Sequence, residues 1–134
     1  MTLTTEFDNR AYVPGETLRG RVSWPSSGPP PEEVEVRLFY YTEGKGDRDI
    51  VVVDSLTIDR PSAPDSRDYA FRLPEDGPFS FSGKLVSLVW AVEAQRDDDG
   101  DSAKIDFVYS PTGQELDLYA HDDGNLPKTG IFGG

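Results

Sequence analysis

Apolar and polar residues alternate along four segments of the chain, and this alternation constrains the fold more than any other feature. Successive side chains of a β-strand point to opposite faces, so a strand with one buried face shows a period of two. The positions that share the apolar face are Leu18, Gly20, Val22 and Trp24; Val34, Val36, Leu38 and Tyr40; Tyr69, Phe71 and Leu73; and Ala103, Ile105, Phe107 and Tyr109. No long stretch repeats apolar residues at helical spacing. The sequence therefore predicts an all-β chain.

Two further segments are apolar without this regular alternation. In residues 50–59 the apolar parity changes partway along, which predicts a β-bulge near Asp54 and Ser55. Residues 85–94 are apolar on both parities, as is typical of a central strand with both faces covered. We expect a loop, the tail or another subunit to cover the outer face of this strand. If a second copy of the chain provides this cover, the protein is a homodimer, and we include this among the predictions.

Segments rich in proline, glycine and aspartate separate these strands. They are residues 25–33, 43–49, 60–68, 74–78 and 96–104. About seven or eight short strands with frequent turns predict an antiparallel β-sandwich of two sheets. We expect this domain to span residues 1–112. An acidic tail follows at 113–134, with one possible edge strand at 115–120.

Charge and composition exclude several classes of function. The 134 residues carry a net charge of −12 and include no cysteine, so disulfides and thiolate metal sites are excluded. An acidic surface without a basic stripe argues against nucleic-acid binding. The sequence contains no run of eighteen apolar residues, so it predicts no membrane-inserted helix. The N-terminus does not resemble a signal peptide. We therefore expect a cytoplasmic protein.

Two blocks of motifs occur in a fixed order along the chain. The first is a Tyr-x-Pro-Gly-Glu turn followed by a strand that carries a glycine; its residues are Tyr12, Pro14, Gly15, Glu16 and Gly20. The second runs from Phe71 to Ala94, and the residues that match the motif are Pro78, Phe79, Phe81, Gly83 and Trp90. In this order the blocks resemble the arrestin-like β-sandwich family, and the likeness covers roughly residues 3–110.

The resemblance implies an immunoglobulin-like sandwich that serves as a non-enzymatic adaptor or scaffold, working through sheet edges and loops. Arrestins have two lobes, whereas this sequence has one. The charged core and phosphate-sensing lysines of arrestins have no match here, so receptor and phosphopeptide binding are not implied. A single lobe that pairs with its own copy would recreate the two-lobed arrangement.

The motif residues also have physical roles that do not depend on the family. Pro14 fixes φ at the first corner of a turn, and Gly15 can take the positive φ that a type II turn requires next. Gly20 lies mid-strand on the inward parity, which suits a close crossing of the other sheet or a bulge. These roles are structural rather than chemical.

The segment Asp-Asp-Asp-Gly-Asp at 97–101 is the best candidate metal site. Asp97, Asp99 and Asp101 alternate as calcium-loop carboxylates do, although the glycine is in the wrong place for an EF-hand. The alternative function is therefore a calcium-binding, C2-like module, with Asp47 and Asp49 on a second loop as partners. A solvated hairpin tip explains the same residues without a metal.

Three other features suggest no site. The single histidine, His121, has no nucleophile motif to serve, so hydrolase activity is not expected. The segment Leu-Pro-Lys-Thr-Gly at 126–130 matches a sortase sorting signal, but it lacks the required flanking segments and is interpreted as coincidence. Trp24, Tyr40 and Trp90 share the parity of the aliphatic core, which favours packing over sugar stacking. Phe39 and Tyr41 fall on the outward parity.

The sequence thus predicts a protein-interaction module with an unidentified protein partner. It predicts no enzyme activity and no cofactor other than the possible calcium ion.

Overall fold

The computed structural model describes residues 1–25, 31–44, 46–59, 66–96 and 100–117. These residues form ten strands, and one turn of 3-10 helix, Glu6–Asp8, follows the first. The strands are β1 (Thr2–Thr5), β2 (Ala11–Tyr12), β3 (Thr17–Ser23), β4 (Glu33–Gly44), β5 (Asp47–Asp59), β6 (Ser66–Arg72), β7 (Phe81–Ser82), β8 (Val86–Arg96), β9 (Ser102–Tyr109) and β10 (Leu116–Asp117).

The strands form two sheets. The smaller sheet has the order β1-β3-β6, and the larger has the order β10-β7-β8-β4-β5. Strand β9 lies beside β8 on the same edge as β7, and β2 lies beside β9. Every pair is antiparallel except β2 with β9 and β10 with β7. The structure therefore confirms an all-β chain with two mostly antiparallel sheets, as in a β-sandwich.

One apolar core combines the inward side chains of both sheets. Trp90 and Tyr109 are its largest fully buried members, and the Trp90 ring centroid lies 4.8 Å from that of Tyr109. The alternating positions predicted from the sequence supply most of the rest: Leu18, Val22, Trp24, Val34, Val36, Leu38, Tyr69, Phe71, Leu73, Ile105 and Phe107. Burial of apolar surface is the main force that holds the two sheets together.

The hairpin β4–β5 is the longest pairing in the fold. Its tip lies in the predicted turn at 43–49, where Gly44 pairs with Asp47. The register shifts between Leu38 and Phe39, so that Val53 becomes the extra residue of a bulge in β5. The sequence placed this bulge one residue further on, at Asp54 and Ser55.

Strand β8 is central, as its apolar character predicted, because β4 pairs with one edge and β7 and β9 pair with the other. The prediction that a loop, the tail or another subunit covers the outer face of β8 is only partly correct. Phe39 and Tyr41 of the neighbouring strand β4 pack there with Val89 and Ala91. Large side chains on an adjacent strand can cover a small residue such as alanine without a further layer.

The short strand β10 lies inside the segment 115–120, where the sequence suggested an edge strand, and it forms an end of the larger sheet. Among the described residues, no helix is both long enough and apolar enough to span a membrane.

Candidate functional site

The two motif blocks are in direct contact. Gly15 has a φ of +80°, as predicted for the turn, and the Glu16 N–H donates to the Val13 carbonyl at 3.1 Å. The Gly15 N–H also donates to the Pro74 carbonyl at 3.2 Å, and the Leu73 N–H donates to the Glu16 carbonyl at 2.9 Å. These bonds fasten the first turn to the end of β6, so the first block positions the second.

The second block anchors the core. The Trp90 indole N–H donates to the Pro78 carbonyl at 2.7 Å. Ser80, which is almost fully buried, donates its N–H to the Tyr109 carbonyl at 2.8 Å and accepts the Tyr109 N–H on Oγ at 2.9 Å. The Phe79 ring lies 5.2 Å from that of Tyr109. These contacts satisfy polar groups that would otherwise be buried without partners.

The remaining motif residues also have structural contacts. Tyr12 is buried, its ring centroid lies 5.5 Å from that of Phe107 in an edge-to-face arrangement, and its hydroxyl donates to the Asn9 carbonyl at 3.2 Å. Phe81 lies in β7 and pairs with Leu88 of β8, and Gly83 follows β7 directly.

Gly20 permits a close approach, although not by the opposite sheet as expected. A Cβ atom at Gly20 would lie 1.9 Å from the Thr4 carbonyl oxygen and 2.5 Å from Tyr69 Oη. Both residues belong to the strands that pair with β3 in the same sheet. The motif positions therefore build the scaffold and do not converge on a ligand.

The longest exposed apolar stretch among the described residues lies on the outer edge of β5. This strand has thirteen residues and pairs with β4 alone among the described strands. Four consecutive apolar residues occupy its first half, with exposed fractions of 57% for Ile50, 44% for Val51, 47% for Val52 and 40% for Val53. We refer to Ile50–Val53 as the apolar run of β5. A long apolar edge is uncommon because its unpaired backbone groups invite another strand to pair.

The two halves of β5 differ in what they contact. In the second half, Leu56 and Ile58 pair with Val36 and Val34 and pack against the core. In the first half, Val51 pairs with Tyr40, yet the apolar run stays outside the core. The bulge separates the halves, and bulges bend a strand and increase its twist. The exposed half therefore presents apolar side chains on both faces of an edge.

Exposed carboxylates border the apolar run at each end. Asp49 precedes it and Asp54 follows it, and no ion pair between described residues includes either one. The nearby Arg48 is already engaged, since its guanidinium donates to Glu43 at 2.6 Å and lies 4.7 Å from the centroid of the Tyr41 ring. The edge thus combines an apolar centre with negative ends.

A small cavity of about 260 Å³ lies on the outer face of the sheet beside this edge. Its lining residues are Arg37, Phe39, Tyr41, Arg48, Ile50, Glu93 and Lys104. Phe39 and Tyr41 have the outward parity predicted from the sequence, yet they are buried at 5% and 4% exposure. Since Ile50 belongs to both the cavity and the apolar run, the two features are continuous.

Electrostatic contacts fix the cavity wall. The Tyr41 hydroxyl donates to Asp106 Oδ2 at 3.2 Å, and Lys104 Nζ lies 4.7 Å from the Tyr41 ring centroid. Burial raises the pKa of the Tyr41 hydroxyl, and the Asp106 carboxylate raises it further. Burial alone would lower the pKa of Lys104, but Asp106 and the Tyr41 hydroxyl outweigh it, so this pKa is raised. Both groups therefore keep their protons at neutral pH and form a rigid wall.

The predicted calcium site is only partly within the described residues. Asp97 and Asp99 lie outside them. Asp101 accepts the N-terminal ammonium of Met1 at 2.6 Å, and this hydrogen bond lowers the pKa of its carboxyl group. The described residues contain no cluster of three or more metal-ligating side chains. Calcium binding stays a prediction, which a melting-temperature shift on addition of calcium would test.

Other sequence hypotheses have mixed outcomes. Trp24 and Trp90 are buried, and Tyr40 packs 5.1 Å from Trp90, so these rings belong to the core rather than to a sugar-binding surface. His121 and the segment 126–130 lie outside the described residues. The homodimer was predicted from the two-sided apolar strand 85–92. That argument now rests on Leu85 and Val86 alone, because Val89 and Ala91 are covered within the chain.

Comparison with known proteins adds no assignment: no protein-family model matches the chain, and no significant match is found among curated proteins. The candidate site therefore depends on the geometry alone, which presents an exposed strand edge on a sandwich-like scaffold. Sequence reasoning did not assign this edge a role. Its signal was present as four consecutive β-branched residues between aspartates.

Proposed function

We propose that the protein is a non-enzymatic interaction module, built on a single arrestin-like lobe, that binds an extended segment of a partner protein along β5. One observation carries the proposal: an edge strand of thirteen residues exposes four consecutive apolar side chains. An extended segment that pairs with this edge gains main-chain hydrogen bonds and buries the apolar run.

Several features support this mode of binding. The scaffold beneath the edge is rigid, because β4 pairs with β5 along twelve positions and with β8 along eleven. A preformed edge loses little entropy when a segment pairs with it. The cavity beside Ile50 offers room for a side chain of the bound segment, which would add selectivity to the main-chain contacts.

The arrestin-like assignment rests on the order of the two motif blocks. The contact between the turn at Val13–Glu16 and the Leu73–Pro74 segment supports it, because it gives both blocks one shared role. The family resemblance implies adaptor function through sheet edges, which agrees with the exposed position of β5.

Selection from a library of random twelve-residue peptides tests the proposal. We expect enriched peptides to bind the wild-type chain with micromolar affinity and to bind a Val52→Lys variant at least tenfold more weakly. Lysine on an edge strand disfavours pairing because its ammonium must stay hydrated. The matched control is Val13→Lys, since Val13 has a similar exposed fraction of 40% but lies outside β5.

Two results would contradict the proposal. One is that selection enriches no peptides above background. The other is that the enriched peptides bind both lysine variants as tightly as they bind the wild-type chain, which would place the interaction elsewhere on the surface.

A further inference from the structure

We infer that the segment that binds β5 belongs to a different protein and carries a short apolar stretch flanked on both sides by lysine or arginine. The inference rests on the proposed function, since it names the chemistry of the partner at that same edge. The carboxylates that border the apolar run carry the argument.

The first step concerns the positions of the charges. Asp49 and Asp54 stand immediately before and after the run Ile50–Val53. Both side chains are exposed, and neither carboxylate forms an ion pair with another described residue. Asp54 Oδ1 accepts the Ser55 N–H at 2.8 Å, so this side chain is held beside the end of the apolar run. Cations at both ends of a paired segment would meet these carboxylates.

The second step excludes a second copy as the preferred occupant. Residues directly opposite each other in an antiparallel pair point to the same face of the sheet, and Val51 and Val52 point to opposite faces because they pair with Tyr40 and Phe39. Two copies can therefore pair with Val51 opposite Val51 and Ile50 opposite Val52. That register sets the Asp49 carboxylate against Val53 of the other copy, and only Arg48 lies opposite Asp54. The net charge of −12 on each chain adds a repulsion between the two copies.

The third step concerns the nearest cation on the edge. In a pair of copies Arg48 would have to reach Asp54, but its guanidinium already donates to Glu43 at 2.6 Å and lies 4.7 Å from the centroid of the Tyr41 ring. The hydrogen bond to Glu43 also raises the pKa of Arg48. The available charge on the edge is therefore negative, and a basic segment complements it.

Synthetic peptides test the inference directly. The probe is a fluorescein-labelled peptide with the core Lys-Val-Ile-Val-Thr-Lys between Gly-Ser tails, and its matched control replaces both lysines with glutamate. We expect the lysine peptide to bind about tenfold more tightly by fluorescence anisotropy, since two exposed ion pairs replace two repulsions. The difference should shrink between 0.05 and 0.5 M salt because exposed charges are screened.

A charge-removing variant completes the design. We expect Asp49→Asn with Asp54→Asn to abolish the preference for the lysine peptide while both peptides still bind. A third peptide, methylated at every backbone nitrogen of the Lys-Val-Ile-Val-Thr-Lys core, should not bind, because neither of its edges can donate the hydrogen bonds of a paired strand.

The outcomes separate this inference from the proposed function. Equal affinity of the lysine and glutamate peptides would overturn the charge preference and leave strand pairing intact. Dimerisation of the wild-type chain that Val52→Lys abolishes would overturn it in favour of a second copy. Equal binding of the methylated peptide, or failure of every peptide to bind, would overturn strand pairing at β5 as well.

Discussion

Replacement of Gly20 by alanine tests the packing of the smaller sheet. The added Cβ atom would lie 1.9 Å from the Thr4 carbonyl oxygen, which is part of the backbone and cannot swing away. It would also lie 2.5 Å from Tyr69 Oη. The Tyr69 hydroxyl donates to that same Thr4 carbonyl at 2.9 Å, so both partners of the bond must move.

The expected loss of stability combines two costs. Overpacking of a filled site costs about 1–3 kcal/mol. Loss of the hydrogen bond between Tyr69 and Thr4 costs about 1 kcal/mol. The reduced freedom of alanine in the unfolded chain returns about 0.4–1 kcal/mol. We therefore expect Gly20→Ala to lower the free energy of unfolding by about 1–3.6 kcal/mol. The middle of this range corresponds to a melting temperature lower by about 10 °C.

Urea unfolding, followed by the fluorescence of the buried Trp24 and Trp90, measures this effect. The control is Tyr69→Phe, which removes only the hydroxyl group and should cost about 1 kcal/mol. Since that hydroxyl oxygen is one of the three atoms within 3 Å of a Cβ at Gly20, the double variant should lose less stability than the sum of the single variants. A Gly20→Ala variant within 0.5 kcal/mol of the wild-type chain would refute this account of the packing.

Three other predictions follow from described contacts. The Tyr109 hydroxyl donates to the Pro74 carbonyl and accepts the Gly77 N–H, so Tyr109→Phe should lower the free energy of unfolding by about 1–2 kcal/mol in urea titration. Burial raises the pKa of Tyr69 above its value in the unfolded chain, so its contribution to stability is complete below about pH 10 and declines at higher pH. Between pH 8 and 11 the melting temperature should therefore decrease less steeply for Tyr69→Phe than for the wild-type chain. Val52→Lys should leave the urea midpoint unchanged within error and slow aggregation of concentrated samples, as light scattering would show, whereas faster aggregation would contradict an unpaired β5 edge.

The alternating segments made the strands and the core predictable. Leu18, Val22 and Val36 are inward and buried because period-two patterning leaves only one face that can exclude water. The turn at Gly15 was equally predictable, since few residues other than glycine adopt its positive φ without strain.

Features that depend on how strands assemble were less predictable. Gly20 was expected to lie at a close crossing of the other sheet or at a bulge. Instead Thr4 and Tyr69 of its own sheet approach it, because local pattern does not specify strand order. The burial of Phe39 and Tyr41 was missed for a related reason: outward parity indicates solvent only when no neighbouring side chains close over it.

The candidate site was the least predictable feature. The sequence Ile-Val-Val-Val indicates a strand, but its exposure follows from the position of β5 at the end of the larger sheet. Edge and central strands of similar composition differ mainly in their neighbours. Only the structure identifies which apolar strand is left at an edge.

Hydrogen exchange tests the central claim most directly. The exchange of backbone amides is measured by mass spectrometry in the free chain and in the presence of saturating lysine-flanked peptide. Strand pairing at β5 predicts slower exchange in residues 47–55, with little change in the smaller sheet. Protection confined to other strands, or no protection in 47–55 while the peptide is bound, would contradict the claim that β5 is the binding edge.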